Sequence, residues 1–229
     1  MPLETKWQLC YIIIEYLFNE ILFNKKVLES GMYIKGDRFM TREEQKEQRK
    51  TQIVSAGLRI FVKKGYAATK ITDIAKEAGM STGLLFHYFE SKEQLFVELV
   101  QTGLQGTKVP FQMDFKSPLD FFEGFAQVLL TYIKEQPETA LYFVLMGQVS
   151  QSEGIPRQAE ELAAKVNTTE QSVAIIKMGQ QAGIIKKGDP LALASAFWCC
   201  IQGIAEQYVI HPEIPLPEAS WIVDIIKKQ

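Results

Sequence analysis

The stretch GMSTGLLFHYFESKEQLF, residues 79–96, joins two short apolar-periodic segments through Gly79-Met80-Ser81. A helix, a tight glycine turn and a second helix make the layout of a helix-turn-helix, in which the second helix enters the major groove of DNA. That groove is about 12 Å wide, so the entering helix must lead with small side chains if its backbone is to come close. Thr82, Gly83 and Leu84 meet this demand. Gly83 removes a Cβ where the backbone would meet the sugar-phosphate wall, Thr82 brings a hydroxyl, and Leu84 offers apolar surface to a thymine methyl. Ser81 is placed to cap the helix, and the N–H groups opened at Ser81 to Gly83 can hold a phosphate. Tyr88 and Lys92 are candidate phosphate contacts, which position a protein without reading sequence. His87, in the same run, reads either as a surface histidine or as a further contact.

Working outward from this stretch, apolar residues recur at i, i+3, i+4 throughout, and strand-like alternation bounded by turns is absent. The expected fold is all-α. A first helix covers residues 42–64, with Ile53, Val54, Ala56, Gly57, Ile60 and Phe61 inward and Lys64-Gly65 as its stop. A second runs over residues 71–78 on Ile71, Ile74, Ala75 and Ala78, and Gly79 ends it. The third, after Ser81, turns Leu85, Phe86 and Phe89 inward, and Ser91 caps a fourth that buries Leu95, Phe96, Leu99 and Val100. Beyond Pro110 longer helices are expected near 117–135, 138–151, 156–182, 190–210 and 217–228.

The 229 residues suffice for one large or two small domains, and 47% hydrophobic with 23% charged residues is ordinary globular composition. The net charge of −2 carries no whole-chain signal for nucleic acid, so the local balance matters. Residues 41–64 hold seven basic groups against three acids, whereas residues 109–229 hold nine against fourteen. A basic segment before an acidic remainder implies two modules with different partners. Cys10, Cys199 and Cys200 lack metal-ligand spacing and read as buried thiols of a reducing compartment. Glu15, Asn19 and Glu20 interrupt the apolar run Trp7 to Phe23, which argues against a membrane span; the expected location is the cytoplasm. There is no Gly-rich phosphate loop after a strand, no metal cluster, and no nucleophile with a histidine partner. An enzyme, a metal site and a cofactor are therefore not expected.

The run GYAATKITDIAKEAGMSTGLLFHYFESKEQLF, residues 65–96, resembles the DNA-binding domain of the TetR/AcrR family of transcriptional regulators. The resemblance rests on Gly65-Tyr66, Thr69, Ile74-Ala75, Ala78-Gly79, Ser81-x-Gly83, Tyr88-Phe89 and Ser91-Lys92-Glu93-x-Leu95. It extends over roughly residues 42–100, and the remainder matches in helical layout only. It implies a homodimer whose all-helical C-terminal domain binds a small effector, with repression as the common output. The family's DNA-contacting positions fall here on Thr72, Thr82, Gly83, Leu84, Phe86, Tyr88 and Lys92. Two positions depart from the pattern. Phe86 stands where the family usually has tyrosine, and Lys70 where a capping Ser or Thr is usual, which leaves Thr69 or Thr72 to cap the second helix.

The segment 190–210 is apolar almost all round, and such a helix must be covered on every side. Ala192, Ala196, Cys199, Cys200 and Gly203 are small enough for close helix approach; with Trp221, Ile222, Ile225 and Ile226 they are the expected two-fold interface. Phe122, Phe125, Tyr132, Tyr142, Phe143, Met146 and Trp198 are candidates to line a pocket for an apolar or amphipathic effector, and read equally as aromatic core. The expected mechanism is a dimer in which ligand tilts the helix from Ser91 to about Gly106 and so alters the spacing of the recognition helices. The alternatives are a structural or cell-division DNA-binding protein of the same fold without an effector and, further off, an all-helical enzyme that uses carboxylates.

The expected organisation is thus an extra segment over 1–40, a helix-turn-helix domain over 41–106, and an effector-binding and dimerisation domain over 107–229. The first forty residues suggest either an added helix from Leu3 to Leu28 or a translation start at Met40; the second is favoured.

Overall fold

The computed structural model describes residues 41–112 and 115–229; the readings made for residues 1–40, Cys10 included, lie outside them. Among the described residues the chain is helical throughout, apart from one isolated antiparallel bridge, Ile185 to Lys227. They fall into two compact units. One holds residues 41–102 with Glu153–Ala159, and the other holds the rest.

The first unit begins with α1 (Arg42–Ala68), opened by Thr41. The Thr41 hydroxyl accepts from the Glu44 N–H at 3.2 Å while the Glu44 carboxylate accepts from the Thr41 N–H at 2.7 Å, a reciprocal cap of two otherwise orphaned donors. Gly65 interrupts α1 with φ of +76°, a conformation that costs a glycine nothing, so the regular helix ends where Lys64-Gly65 predicted. α2 (Ile71–Glu77) buries Ile74 and Ala75, and Gly79 closes it at φ of +67°. α3 (Thr82–Phe86) and α4 (Lys92–Gln112) follow. Ile53, Ala56, Leu58 and Phe61 of α1 are buried, as are Leu85, Phe89, Leu95, Phe96, Leu99 and Val100. Gly57 permits the close approach of α1 to α4: a Cβ there would lie 2.9 Å from Leu95 Cδ2. The α4 helix does not stop near Gly106 but runs to Gln112 with Pro110 inside it.

The second unit contains α5 (Pro118–Glu135), α6 (Glu138–Gln151), α8 (Thr168–Gln181), α9 (Pro190–Ile210) and α10 (Ala219–Val223); α7 (Arg157–Ala163) straddles the division of the chain. Proline at the first helical position and a side-chain cap just before it open both α5 and α9. Ser117 Oγ accepts from the Asp120 N–H and Asp189 Oδ1 from the Ala192 N–H. The core is aromatic: Phe121, Phe122, Phe197 and Trp198 meet edge to face in sequence, with centroids 4.7–5.2 Å apart. Ala194, Phe197, Ile201 and Ala205 are the buried face of α9.

Three expectations are corrected. The helix expected over 156–182 is two, α7 and α8. Lys165 and Val166 donate back to Leu162 and Ala163, three residues away, which tightens and ends α7. Asn167 then caps α8 by accepting from the Glu170 N–H at 3.1 Å. The last helix stops at Val223 instead of continuing to residue 228. Lys186 N–H donates to the Ile226 carbonyl and Lys228 N–H to that of Ile184, an antiparallel pairing that competes with helix at 224–228. Lys186 Nζ adds bonds to the Asp224 and Ile225 carbonyls at 3.0 and 2.8 Å. The cysteines are also less buried than expected: Cys199 is exposed and Cys200 half-buried, its thiol pushed up by the burial it has.

Candidate nucleic-acid interface

α3 has five residues, so only one face can be spent on the core. Leu85 takes it, joined by Phe89 just beyond the helix; both are fully buried. Ser81 opens α3 with its hydroxyl accepting from the Leu84 N–H at 3.2 Å. Two residues before Leu85, and so about 200° around the helix from it, Gly83 is exposed, and an added Cβ there would meet nothing within 4 Å. Ser81, Phe86, His87 and, on α2, Thr72 are exposed; Thr82, Leu84 and Tyr88 are half-buried.

Phe86 requires a correction. Expected inward, it is 47% exposed. At about 100° per residue it lies well away from Leu85 and shares the side of Thr82 and Gly83, its i−4 and i−3 neighbours.

Thr69 and Thr72 do not cap α2. The Thr69 hydroxyl donates to the Gly65 carbonyl at 2.7 Å, bracing the interruption of α1. The first turn of α2 is held from inside instead, by Asp73 accepting from the Lys70 N–H at 3.2 Å. Lys64 pairs with the same carboxylate at 2.9 Å. The Lys64 hydrogen bond, then that of the Lys70 amide, holds Asp73 below its ordinary value.

Lys92, first residue of α4, is partly committed within the unit. Its Nζ donates to the Tyr66 and Thr69 carbonyls at 2.8 and 2.9 Å, which leaves one N–H for an outside acceptor. It also lies 4.1 Å from the centre of the Tyr66 ring. Burial lowers its pKa, and burial followed by the charge of Glu93 raises that of Tyr66. This latch crosses from α4 to the chain just past the kink in α1, and Lys92 stands too far along the chain from Tyr66 and Thr69 for any local pattern to reveal it.

In the second unit the expected effector residues divide between two places. Phe122, Phe125 and Trp198 sit together in the aromatic core, with Phe143 packed against it. Trp198 Nε1 donates to Ser172 at 2.8 Å. Tyr142 and Met146 instead line the close approach at Gly103, where a Cβ would lie 2.8 Å from Met146 Sδ. Tyr132 is buried. Of the expected interface residues, Ala196, Cys199 and Gly203 share an exposed stripe of α9 with Ala192, and Trp221 is 62% exposed. Cys200 and Ile225 are half-buried against the core, and Ile222 lies inside it. Leu191, Ile210 and Ile214 are exposed apolar residues that the sequence reading did not single out.

The model of bacterial regulatory proteins of the tetR family matches residues 53–99, which contain α2, α3 and the latch of Lys92. An HTH-type transcriptional regulator of Bacillus subtilis strain 168, YfiR, is 36% identical over 62 residues; the match spans 27% of this chain and 30% of that one. The HTH-type transcriptional regulator RutR of Escherichia coli K12 is 26% identical over 162 residues, 69% of this chain and 74% of RutR. The structure of the ketosteroid transcriptional regulator KstR2 of Mycobacterium tuberculosis aligns with 79% of this chain and 96% of its own, with a TM-score of 0.61 at 18% identity, a likeness of fold alone. Residues 53–99, a helix-turn-helix with an outward α3, are thus similar to the DNA-binding segment of tetR-family regulatory proteins, and the chain is similar over a longer span to HTH-type transcriptional regulators.

Proposed function

We propose that the protein is a cytoplasmic, homodimeric repressor that binds a palindromic operator and is released from it by a small apolar or amphipathic effector. The observation that carries this reading is the face of α3: Ser81, Gly83, Phe86 and His87 exposed over a core held by Leu85 and Phe89. Thr72, Thr82, Leu84, Tyr88 and Lys92 complete the proposed contact set. Thr82 to Leu84 approach base edges, while Tyr88 and the remaining N–H of Lys92 meet phosphates.

A single helix-turn-helix reads one half-site, and two copies one DNA turn (about 34–36 Å) apart read a palindrome. The exposed stripe of Ala192, Ala196, Cys199 and Gly203, with Trp221, supports association through α9 and α10. The second unit, with the expected domain 107–229, supplies the effector site, for which Phe122, Phe125, Phe143 and Trp198 are the aromatic wall and Tyr132, Tyr142 and Met146 further candidates. Its signal would pass along α4, whose residues belong to both units.

The test is selection of bound fragments from the source genome, followed by a footprint with and without candidate ligands. A recurring palindrome, protected without ligand and freed by one, is the expected result. Salt-dependent binding to generic DNA with no preferred sequence would overturn it in favour of a structural DNA-binding role. Because coupling between sites is reciprocal, operator DNA must weaken effector binding by the same factor.

A further inference from the structure

We infer that Phe86 reads the C5-methyl group of a thymine in each half-site, an assignment that rests on the operator-binding reading above. The ring is 47% exposed, on the one face of α3 that the core does not use. Beside it Gly83 offers no side chain, and the space over that glycine is open, so a duplex wall can come flush against the phenyl edge. Phenylalanine has no donor or acceptor and can form no hydrogen bond with a phosphate, unlike the tyrosine that the family pattern puts at this position. Among the groups on a base-pair edge in the major groove, the thymine methyl is the apolar one, and phenylalanine is among the side chains that contact it. A phenyl left in water at this surface gains nothing; one covering a methyl gains burial on both sides. Leu84, half-buried and one residue from the core-facing Leu85, has less free surface for the same task.

The experiment begins with wild-type protein and short duplexes selected from a randomised pool. In the best duplex each thymine is replaced singly by uracil, which removes only the methyl. Wild-type binding should weaken about fourfold at one position per half-site, the worth of roughly one buried methyl group. The variant F86A should bind the thymine and uracil duplexes alike at that position, and F86L should keep the discrimination. Wild-type indifference to uracil at every position overturns the inference and needs no variant to fold, as does full discrimination retained by F86A. If selection yields no recurring sequence, the operator-binding reading itself falls, and this assignment with it.

Discussion

Lys92 Nζ lies 4.1 Å from the centre of the Tyr66 ring while donating to the Tyr66 carbonyl at 2.8 Å. The start of α4 is therefore fastened to the chain just past the kink in α1, and α2 and α3 lie in the chain between these two points. Replacing Lys92 with Met should lower the stability of the first unit by about 1.5–3 kcal/mol, the range for hydrogen bonds to a charged group. Arginine should recover only part of this, because its planar fork does not repeat the geometry of an ammonium. Thermal unfolding followed by circular dichroism measures both. The salt slope of DNA binding tells whether the third N–H also meets a phosphate: its loss reduces the slope by about one contact.

Asp73 gives a prediction in pH. Its folded carboxyl is held below the ordinary 3.8, first by Lys64 and then by the Lys70 amide. The stabilisation is fully present above that ordinary value and is lost as pH falls through the lower, folded value. Acid titration of unfolding should show D73N with the shallower decline below about pH 4. The loss should be small, because the ion pair with Lys64 is solvent-exposed.

Two glycines at close helix contacts should respond differently to alanine. At Gly179 the new Cβ would lie 2.6 Å from Ile185 Cγ1, on a β-branched residue beside the bridge to Lys227. G179A should destabilise by about 1–3 kcal/mol in chemical denaturation, an overpacking cost. At Gly103 the obstacle is the thioether of Met146, an unbranched and adaptable side chain. G103A should cost less.

Cys199→Arg tests the proposed association. Cys199 is exposed on the α9 stripe, so the isolated fold should tolerate the change to within about 0.5 kcal/mol. Light scattering should show the mass fall to that of one chain, and operator affinity should drop at least about 10²-fold as avidity is lost. A dimer that persists with unchanged affinity counts against the α9 stripe as the contact.

Gly83→Glu should separate folding from binding most cleanly. The open space at Gly83 accepts a side chain, so the melting temperature should barely move, while a carboxylate facing phosphates should abolish retardation of DNA.

The parts of this fold that the sequence discloses are those written in neighbouring residues. Gly65 and Gly79 sit at positive φ at the expected stops, and Ser81 and Ser91 cap at the expected starts. Asn167, with Glu170 three residues on, carries the same signal and was masked by apolar periodicity that continues on either side. The end of α10 was not legible because Lys186, some forty residues away in sequence, decides it. Phe86 shows that apolarity alone does not mark burial, because α3 is too short to hide three large residues. On α9 periodicity could not separate core from surface: Phe197 and Cys199 lie two positions apart in a run apolar on every side, and packing alone assigns one inward and the other outward.

The hydrogen bond from the Trp198 indole to Ser172 gives the molecule an optical asymmetry. That indole is shielded and polar-bonded, while Trp221 stands open to water. The sequence has a third tryptophan, Trp7, so the comparison needs a W7F background, in which a collisional quencher such as iodide should extinguish the Trp221 emission more than that of Trp198. An unlabelled sample of that variant then tests the two proposed events separately, association through the quenchable Trp221 and effector entry through the protected Trp198.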